Sequence, residues 1–271
     1  MQVGRGATEA ARKALKMFGS TEEISITLDG HVAVVELCRP PHNFVHATLL
    51  EELADCFEQL GDKVDVRCLV LAAQGKSFCA GADFSRDEGS GDTARRFYAA
   101  AVRLFAFCKP VVAAIQGAAI GAGLGLALFA DFRIAAAEAR FSANFTKLGI
   151  HPGFGITHTL PRLVGHQNAA MLLYTGRRIG GAEAVRIGLA DGLAPTGALR
   201  DVAMALAREI AESAPLAVMA TRATLRSGLA EAVAAQTAHE ASEQERLFVT
   251  ADYAEGLRSV AERRAGNFSG R

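Results

Sequence analysis

Apolar and polar residues alternate from Ile24 to Leu28 and again from Val32 to Leu37, and the Asp29-Gly30 dipeptide between them is a hairpin turn signal. Arg39-Pro40-Pro41-His42-Asn43 ends the second strand in a rigid loop, after which apolar positions from Leu49 through Leu60 recur at helical spacing. Arg67 to Ala72 reads as a buried strand that leaves through Gly75-Lys76-Ser77-Phe78, and Ser85 through Thr93 is a polar, glycine-interrupted loop able to cover a pocket. Ala94 to Phe107 is helical up to the Lys109-Pro110 break. Val111 to Ile115 is a second buried strand that ends at glycines and then enters a helix of Ala, Leu and Gly beginning near Ala122. Phe132 to Ala136 is a strand, Ala139 to Phe145 a further short element, and Lys147 to Gly155 (KLGIHPGFG) a constrained loop. Helices follow over Ile156 to Leu163 and Gln167 to Tyr174, with a small one reaching Ile187 and a turn and short strand over Gly188 to Leu193. Beyond Pro195 to Gly197, the stretches Ala198 to Glu212 and Ala217 to Arg263 are predominantly helical.

This order predicts an α/β core followed by helices. The expected divisions are an N-terminal extension over 1–21, a core over 22–197 and a helical region over 198–271. Residues 1–20 fit either a short leading helix or a disordered extension. Periodicity does not distinguish an open parallel sheet from a repeated ββα spiral, although the early hairpin favours mixed strand directions.

Composition narrows the function classes. Of 271 residues half are apolar, enough for a substantial core. Lysine plus arginine equals aspartate plus glutamate at 29 each, which argues against a basic nucleic-acid binder or a polybasic membrane anchor. The longest hydrophobic tract is interrupted by glycines, Gln116 and Asp131, against a membrane span, and the N-terminus has no signal-peptide core. Cys38, Cys56, Cys68, Cys79 and Cys108 form neither a zinc pattern nor a CxxC motif, so reduced core thiols in a cytoplasmic protein are expected. The dispersed histidines supply no HExxH-like metal site, and the glycine run satisfies neither the P-loop nor the GxGxxG pattern.

The glycine run itself, GAAIGAGLGLALFAD from Gly117 to Asp131, carries the chemistry. Gly121 and Gly123 permit unusual dihedrals or close approach to the backbone. A helix starting near Ala122 leaves its first amides without intrahelical acceptors, able to polarise an oxygen set against them. The same residues also suit a tightly packed core helix. Cys79-Ala80-Gly81-Ala82-Asp83 is the second small-residue stretch that lets a bulky ligand approach the main chain.

The ordered pairing of SFCAGAD with KPVVAAIQGAAIGAGLGLALFADFRIA resembles the crotonase superfamily, the enoyl-CoA hydratase/isomerase family. The likeness extends through RPPHN, ARFS, KLGIHPGFG, LPRLVG, YTGRRIGGAEAVRIGLAD and DYAEGLRSVAERRAGNF, covering about residues 22–268. It implies a crotonase-like ββα spiral core with a C-terminal helical trimerisation region, assembled as a homotrimer or a dimer of trimers. It also implies an acyl-CoA thioester as substrate, with coenzyme A entering as part of that substrate and no permanently bound cofactor. The family's oxyanion hole maps to the backbone N–H groups of Ala82 and Ala122, and the CoA neighbourhood to Ala80, Gly81, Asp83 and Phe84.

The resemblance places the two hydratase glutamates at Gly125 and Phe145, and an alternative aspartate of some relatives at Gly153. None of the three can carry a proton, so enolate stabilisation with nonstandard proton transfer is expected in place of ordinary hydratase chemistry. The alternative is a noncatalytic CoA-ester binding or assembly protein. His151, in the loop that closes over the acyl pocket, is the first substitute acid/base, and a loop-organising histidine is the competing reading. His158 fits a packing position on its helix. Asp87 and Glu88 fit solvated loop acids that could enter on closure. Tyr98 could offer a phenolic hydrogen bond, Asn144 could orient a carbonyl or water, Lys147 suits a subunit surface, and His46 suits the acyl side.

Overall fold

The computed structural model describes residues 21–83 and 91–271. The leading segment expected over 1–20, and most of the polar loop with Phe84, Asp87 and Glu88, lie outside the described residues.

β1 (Ile24–Asp29) and β2 (Val32–Leu37) form the expected antiparallel hairpin, pairing Ile24 with Leu37 and Asp29 with Val32. Helix α1 (Ala47–Gly61) then leads to β3 (Cys68–Ala73), and α2 (Gly91–Ala106) to β4 (Val111–Ile115). The chain continues through β5 (Ala118–Ile120), α3 (Ala122–Leu128), β6 (Phe132–Ala136) and β7 (Arg140–Ser142), with a 3₁₀ turn over Asn144–Leu148. Then come α4 (Ile156–Thr175), β8 (Arg178–Gly180), α5 (Gly181–Arg186) and β9 (Gly192–Ala194). Four helices complete it: α6 (Leu199–Glu212), α7 (Pro215–Leu225), α8 (Leu229–Phe248) and α9 (Ala251–Ala261).

Six strands form one sheet in the order β1-β2-β3-β4-β6-β9, parallel except for the β1–β2 pair. A second sheet has the order β5-β7-β8. The chain therefore repeats a unit: one strand in the large sheet, one short strand or bridge in the small layer, then a helix. β4-β5-α3 and β6-β7-α4 are two such turns, and β3 followed by the Cys79↔Ala119 bridge and α2 is a third.

Both faces of the large sheet are covered, which explains its near-continuous apolar strands. Leu69, Leu71, Val111, Ala113 and Ile115 point into the main core with α1, α2 and α3, while Val70, Ala72, Val112 and Ala114 point the other way. That second face is closed by α6 through Leu199, Ala203, Ala207 and Ala211, a stripe at four-residue spacing.

Two details refine the sequence reading, and one expectation holds. The segment between β4 and the glycine helix is not a plain turn: a separate strand, β5, runs there. Gly117 turns into it at φ 56°, where a Cβ would lie 1.9 Å from the Lys76 carbonyl oxygen. The two helices expected over 156–174 are present, parted by the non-helical Gly165 (φ 74°, ψ 162°) within the span labelled α4. The C-terminal helical stretch is three helices, α7 to α9, and α8 packs on α2 and α4 of the core.

Candidate active site

The small-residue stretches meet through strand register. Cys79 pairs in parallel with Ala119, and just beyond that bridge one segment reaches Ala82 and the other turns at Gly121 into the helix that begins at Ala122. Cys79 N–H donates to Ala118 O at 2.9 Å and Ile120 N–H to Cys79 O at 3.0 Å, which fixes that register. Gly123 makes the approach possible: a Cβ there would fall 2.0 Å from the Cys79 carbonyl oxygen.

On its other side the Cys79–Asp83 segment is held by the RPPHN loop. Ala80 N–H donates to His42 O, Val45 N–H to Gly81 O and Asp83 N–H to Val45 O. Between those two bonds the Ala82 N–H faces away from the bridge and meets no acceptor among the described residues. The Ala122 N–H is the first amide of α3, where no intrahelical acceptor exists, and its N-cap Gly121 offers no side chain. Asp83 is 3.6 Å from Arg39 Nη2, and Arg39 Nε pairs with Glu23 at 2.8 Å.

Ala82 and Ala122 line one cavity of about 210 Å³ together with Ala80 and Gly81. Its remaining wall is apolar and aromatic, including Phe97, Phe145, Phe154 and, from the C-terminal helices, Phe248 and Leu257. The polar side chains among its described residues are those of Tyr98, Asn144, Gln244 and Tyr253, so no carboxylate or imidazole lines it.

The positions where the resemblance puts carboxylates are physically filled. A Cβ on Gly125 would sit 2.6 Å from Cγ and Cδ1 of Phe154, a fully buried ring. Phe145 itself lines the cavity. A Cβ on Gly153 would sit 2.3 Å from the Tyr98 hydroxyl and 2.9 Å from Gln244 Nε2.

Helix α8 supplies what the sequence reading missed. Gln236, Glu240 and Gln244 recur every four residues in an alanine-rich helix, the spacing of one face, and all three bond to the loop or helix around the site. Glu240, fully buried, accepts from Gly155 N–H at 2.7 Å, Thr157 N–H at 3.0 Å and Thr157 Oγ1 at 2.6 Å, at the N-terminus of α4. Burial nevertheless pushes its carboxyl above the ordinary value, against those hydrogen bonds. Gln244 Nε2 donates to His151 O at 2.8 Å and its Oε1 accepts from the Tyr98 hydroxyl. Burial pushes the Tyr98 phenol up, so it is neutral at physiological pH.

The candidate histidines lie elsewhere. His151 is outside the cavity lining; its Nδ1 is 2.8 Å from Pro152 O and its ring stands 6.1 Å from that of His239. His158 lies on α4, with its Nε2 buried and unpartnered among the described residues, and burial lowers its pKa. His46 caps α1 by accepting from Leu49 N–H and pairs with Glu23 at 2.7 Å. Lys147 packs its stem near Gly176 and is likewise outside the lining. Asn144 stands beside Gly121 in the cavity wall. Burial pushes the thiols of Cys56, Cys68 and Cys79 up to about 12, so they are no nucleophiles at neutral pH. Among the described residues no group of three His, Cys, Asp or Glu could hold a metal ion, and no helix is long and apolar enough to cross a membrane.

Residues 27–271 match the family described as Enoyl-CoA hydratase/isomerase. A crotonyl-CoA hydratase of Syntrophomonas wolfei is 36% identical over 254 residues, covering 91% of this chain and 98% of the relative. A probable enoyl-CoA hydratase of Bacillus subtilis is 35% identical with the same coverage. The crystal structure of an enoyl-CoA hydratase/isomerase from Pseudoalteromonas atlantica is similar with a TM-score of 0.83 at 28% identity, covering 91% of this chain and 100% of the other. An enoyl-CoA hydratase from Bacillus anthracis gives a TM-score of 0.73 at 34% identity, covering 92% and 100%. The α/β architecture with its C-terminal helices is the crotonase ββα spiral of these neighbours.

Proposed function

The chain belongs to the enoyl-CoA hydratase/isomerase family, a family of acyl-CoA-processing enzymes, and from that premise we propose that it stabilises a thioester enolate between the amides of Ala82 and Ala122. The thioester oxygen accepts from both N–H groups as negative charge develops, while the CoA portion runs beside Ala80, Gly81 and Asp83. Phe84, the fourth expected CoA neighbour, lies outside the described residues. Losing one preorganised donor of this kind typically costs about 3 kcal/mol in the transition state. The observation that supports the reading is that two residues whose amides meet no acceptor among the described residues, Ala82 and Ala122, line one cavity.

Proton transfer is where the reading leaves ordinary hydration. Hydration needs one group to activate water and another to protonate the α-carbon. With Gly125 and Phe145 at the glutamate positions, the described wall offers neither, and His151 remains a tentative acid/base whose ring would have to turn inward. Decarboxylation of a malonyl-type thioester fits better, because cleavage of the bond to the carboxylate releases CO2 and leaves its electron pair in the enolate without a base, and the α-carbon then takes its proton from solvent water. The same lack of acids favours the second reading, a noncatalytic CoA-ester binding or assembly protein.

Purified protein assayed with crotonyl-CoA, a 3-enoyl-CoA, malonyl-type and β-keto thioesters separates the readings. We expect poor hydration of crotonyl-CoA and turnover of a substrate that forms its enolate by bond cleavage. Binding without turnover across the panel establishes the second reading, and failure to bind any CoA ester refutes both. Unchanged kcat/KM in His151→Ala removes His151 from the mechanism.

A further inference from the structure

Tyr98 lines two spaces at once. On one side is the 210 Å³ cavity that holds Ala82 and Ala122; on the other is a cleft of about 340 Å³ between α2 and α8. Small apolar side chains, Ala94, Ala99 and Val102 from α2 and Ala234, Ala238 and Ala241 from α8, make up most of the cleft wall, with Arg95, Thr237 and Glu245 as the polar members besides Tyr98. Among the described lining residues, Tyr98 is the one that the cavity and the cleft share.

The ring is held in place. It is 8% exposed and stands edge-on to Phe97 at 5.5 Å. Its hydroxyl is latched by a bond of fixed direction. The His151 carbonyl can only accept, so the Gln244 amide must turn its nitrogen toward it and its oxygen toward Tyr98, whose hydroxyl must donate. Gly153 leaves room for that hydroxyl, since a side chain there would displace it.

We propose that Tyr98 sets the acyl length this protein accepts, by forming the partition that closes the inner end of the acyl pocket against the α2–α8 cleft. The proposal rests on the reading that this cavity takes the acyl group of a CoA thioester. An apolar cavity of roughly 150 Å³ holds a benzene ring, so the closed pocket suits an acyl group of about four to six carbons. Opening the partition would join the pocket to the cleft, whose alanine and valine side chains would meet the further methylenes of a medium-length chain.

The test is calorimetric binding of butyryl-CoA and decanoyl-CoA to the full chain, read as the ratio of the two dissociation constants. Wild type should favour butyryl-CoA by roughly tenfold or more, the discrimination a closed apolar pocket provides. Tyr98→Leu should shift the ratio toward decanoyl-CoA by about tenfold, and adding Ala241→Phe, which refills the cleft from α8, should reverse the shift. If Tyr98→Leu does not fold, Tyr98→Met keeps more buried volume and carries the same expectation. Wild type that binds both esters without length discrimination overturns the proposal alone, as does a Tyr98 variant with an unchanged ratio. Wild type that binds neither ester overturns the acyl-CoA reading as well.

Discussion

Placing a single methyl group at residue 125 tests whether the space where the resemblance puts a carboxylate is occupied. Gly125 lies inside α3, and a glycine-to-alanine change in a helix interior ordinarily stabilises by about 1 kcal/mol. Here the added Cβ would be 2.6–2.7 Å from three atoms of Phe154, whose ring is 1% exposed and edge-on to Phe97 at 5.9 Å. Overpacking of this kind costs roughly 1–3 kcal/mol. The net expectation for Gly125→Ala is a loss of up to about 2 kcal/mol, opposite in sign to the propensity effect.

Removing the ring should restore the ordinary sign. Phe154→Ala alone is expected to cost roughly 3–5 kcal/mol, as deletion of a buried phenyl does. In that background the methyl at 125 regains the helix propensity and buries about 0.8 kcal/mol of apolar surface, so Gly125→Ala should stabilise by about 1–2 kcal/mol. The two changes are therefore coupled by roughly 1–4 kcal/mol. Urea unfolding followed by far-UV circular dichroism, at one protein concentration for all four proteins, measures the cycle. The chain has no tryptophan, so backbone signal is the better probe. A Gly125→Ala protein more stable than wild type would refute the claim that Phe154 fills this space.

Three further predictions concern the C-terminal helices. Burial raises the Glu240 carboxyl above its unfolded value, so the native chain holds a proton that the unfolded chain releases. That contribution is fully present below the unfolded pKa of about 4.3 and is lost as pH rises through the native value. Wild type should lose melting temperature relative to Glu240→Gln as pH increases, and a difference that moves the other way would reverse the assignment. Glu240→Ala, which strands the donors of Gly155 and Thr157, should cost about 1–3 kcal/mol per unsatisfied group in urea melts. On α7, Leu216 and Leu225 are 80% and 75% exposed, and Leu225 lines an apolar groove with Phe132 and Val218. We infer that this face packs against further copies in the trimer the resemblance implies. Light scattering should show a trimer or its multiple that Leu225→Glu dissociates, and a monomeric wild type at micromolar concentration would refute it.

How much of this was legible in the sequence varies with the kind of signal. The hairpin, the strand at 111–115 and the helix beginning at Ala122 were readable because alternation, Gly and Pro act locally. β5 was not, since three residues following a turn have no period to detect, and what defines the strand is pairing with β7. The amides at 82 and 122 could be paired only through the family resemblance, because their register is set by the bridge between Cys79 and Ala119, 40 positions apart. Glu240 and Gln244 did leave a signal, polar residues at four-residue spacing in an alanine-rich helix. Which surface that stripe meets is a tertiary fact, and the reading of 198–271 as a helical region for trimerisation therefore overlooked its share of the site.

The filled positions bear on how the site should be understood. A family pocket stripped of its acids by simple deletion would leave vacant space at 125, a hydratase glutamate position, and at 153, the alternative aspartate position. Instead Phe154 stands over Gly125, and the Tyr98 hydroxyl, latched by Gln244, stands over Gly153. Each replacement draws on a different part of the chain: the loop for Phe154, α2 for Tyr98, α8 for Gln244. Together these groups leave Ala82 and Ala122 on a cavity wall whose described polar side chains are Tyr98, Asn144, Gln244 and Tyr253. Under the enolate reading proposed above, a wall with no acid among its described residues suits a substrate that forms its enolate by breaking a bond within itself better than one that needs an activated water.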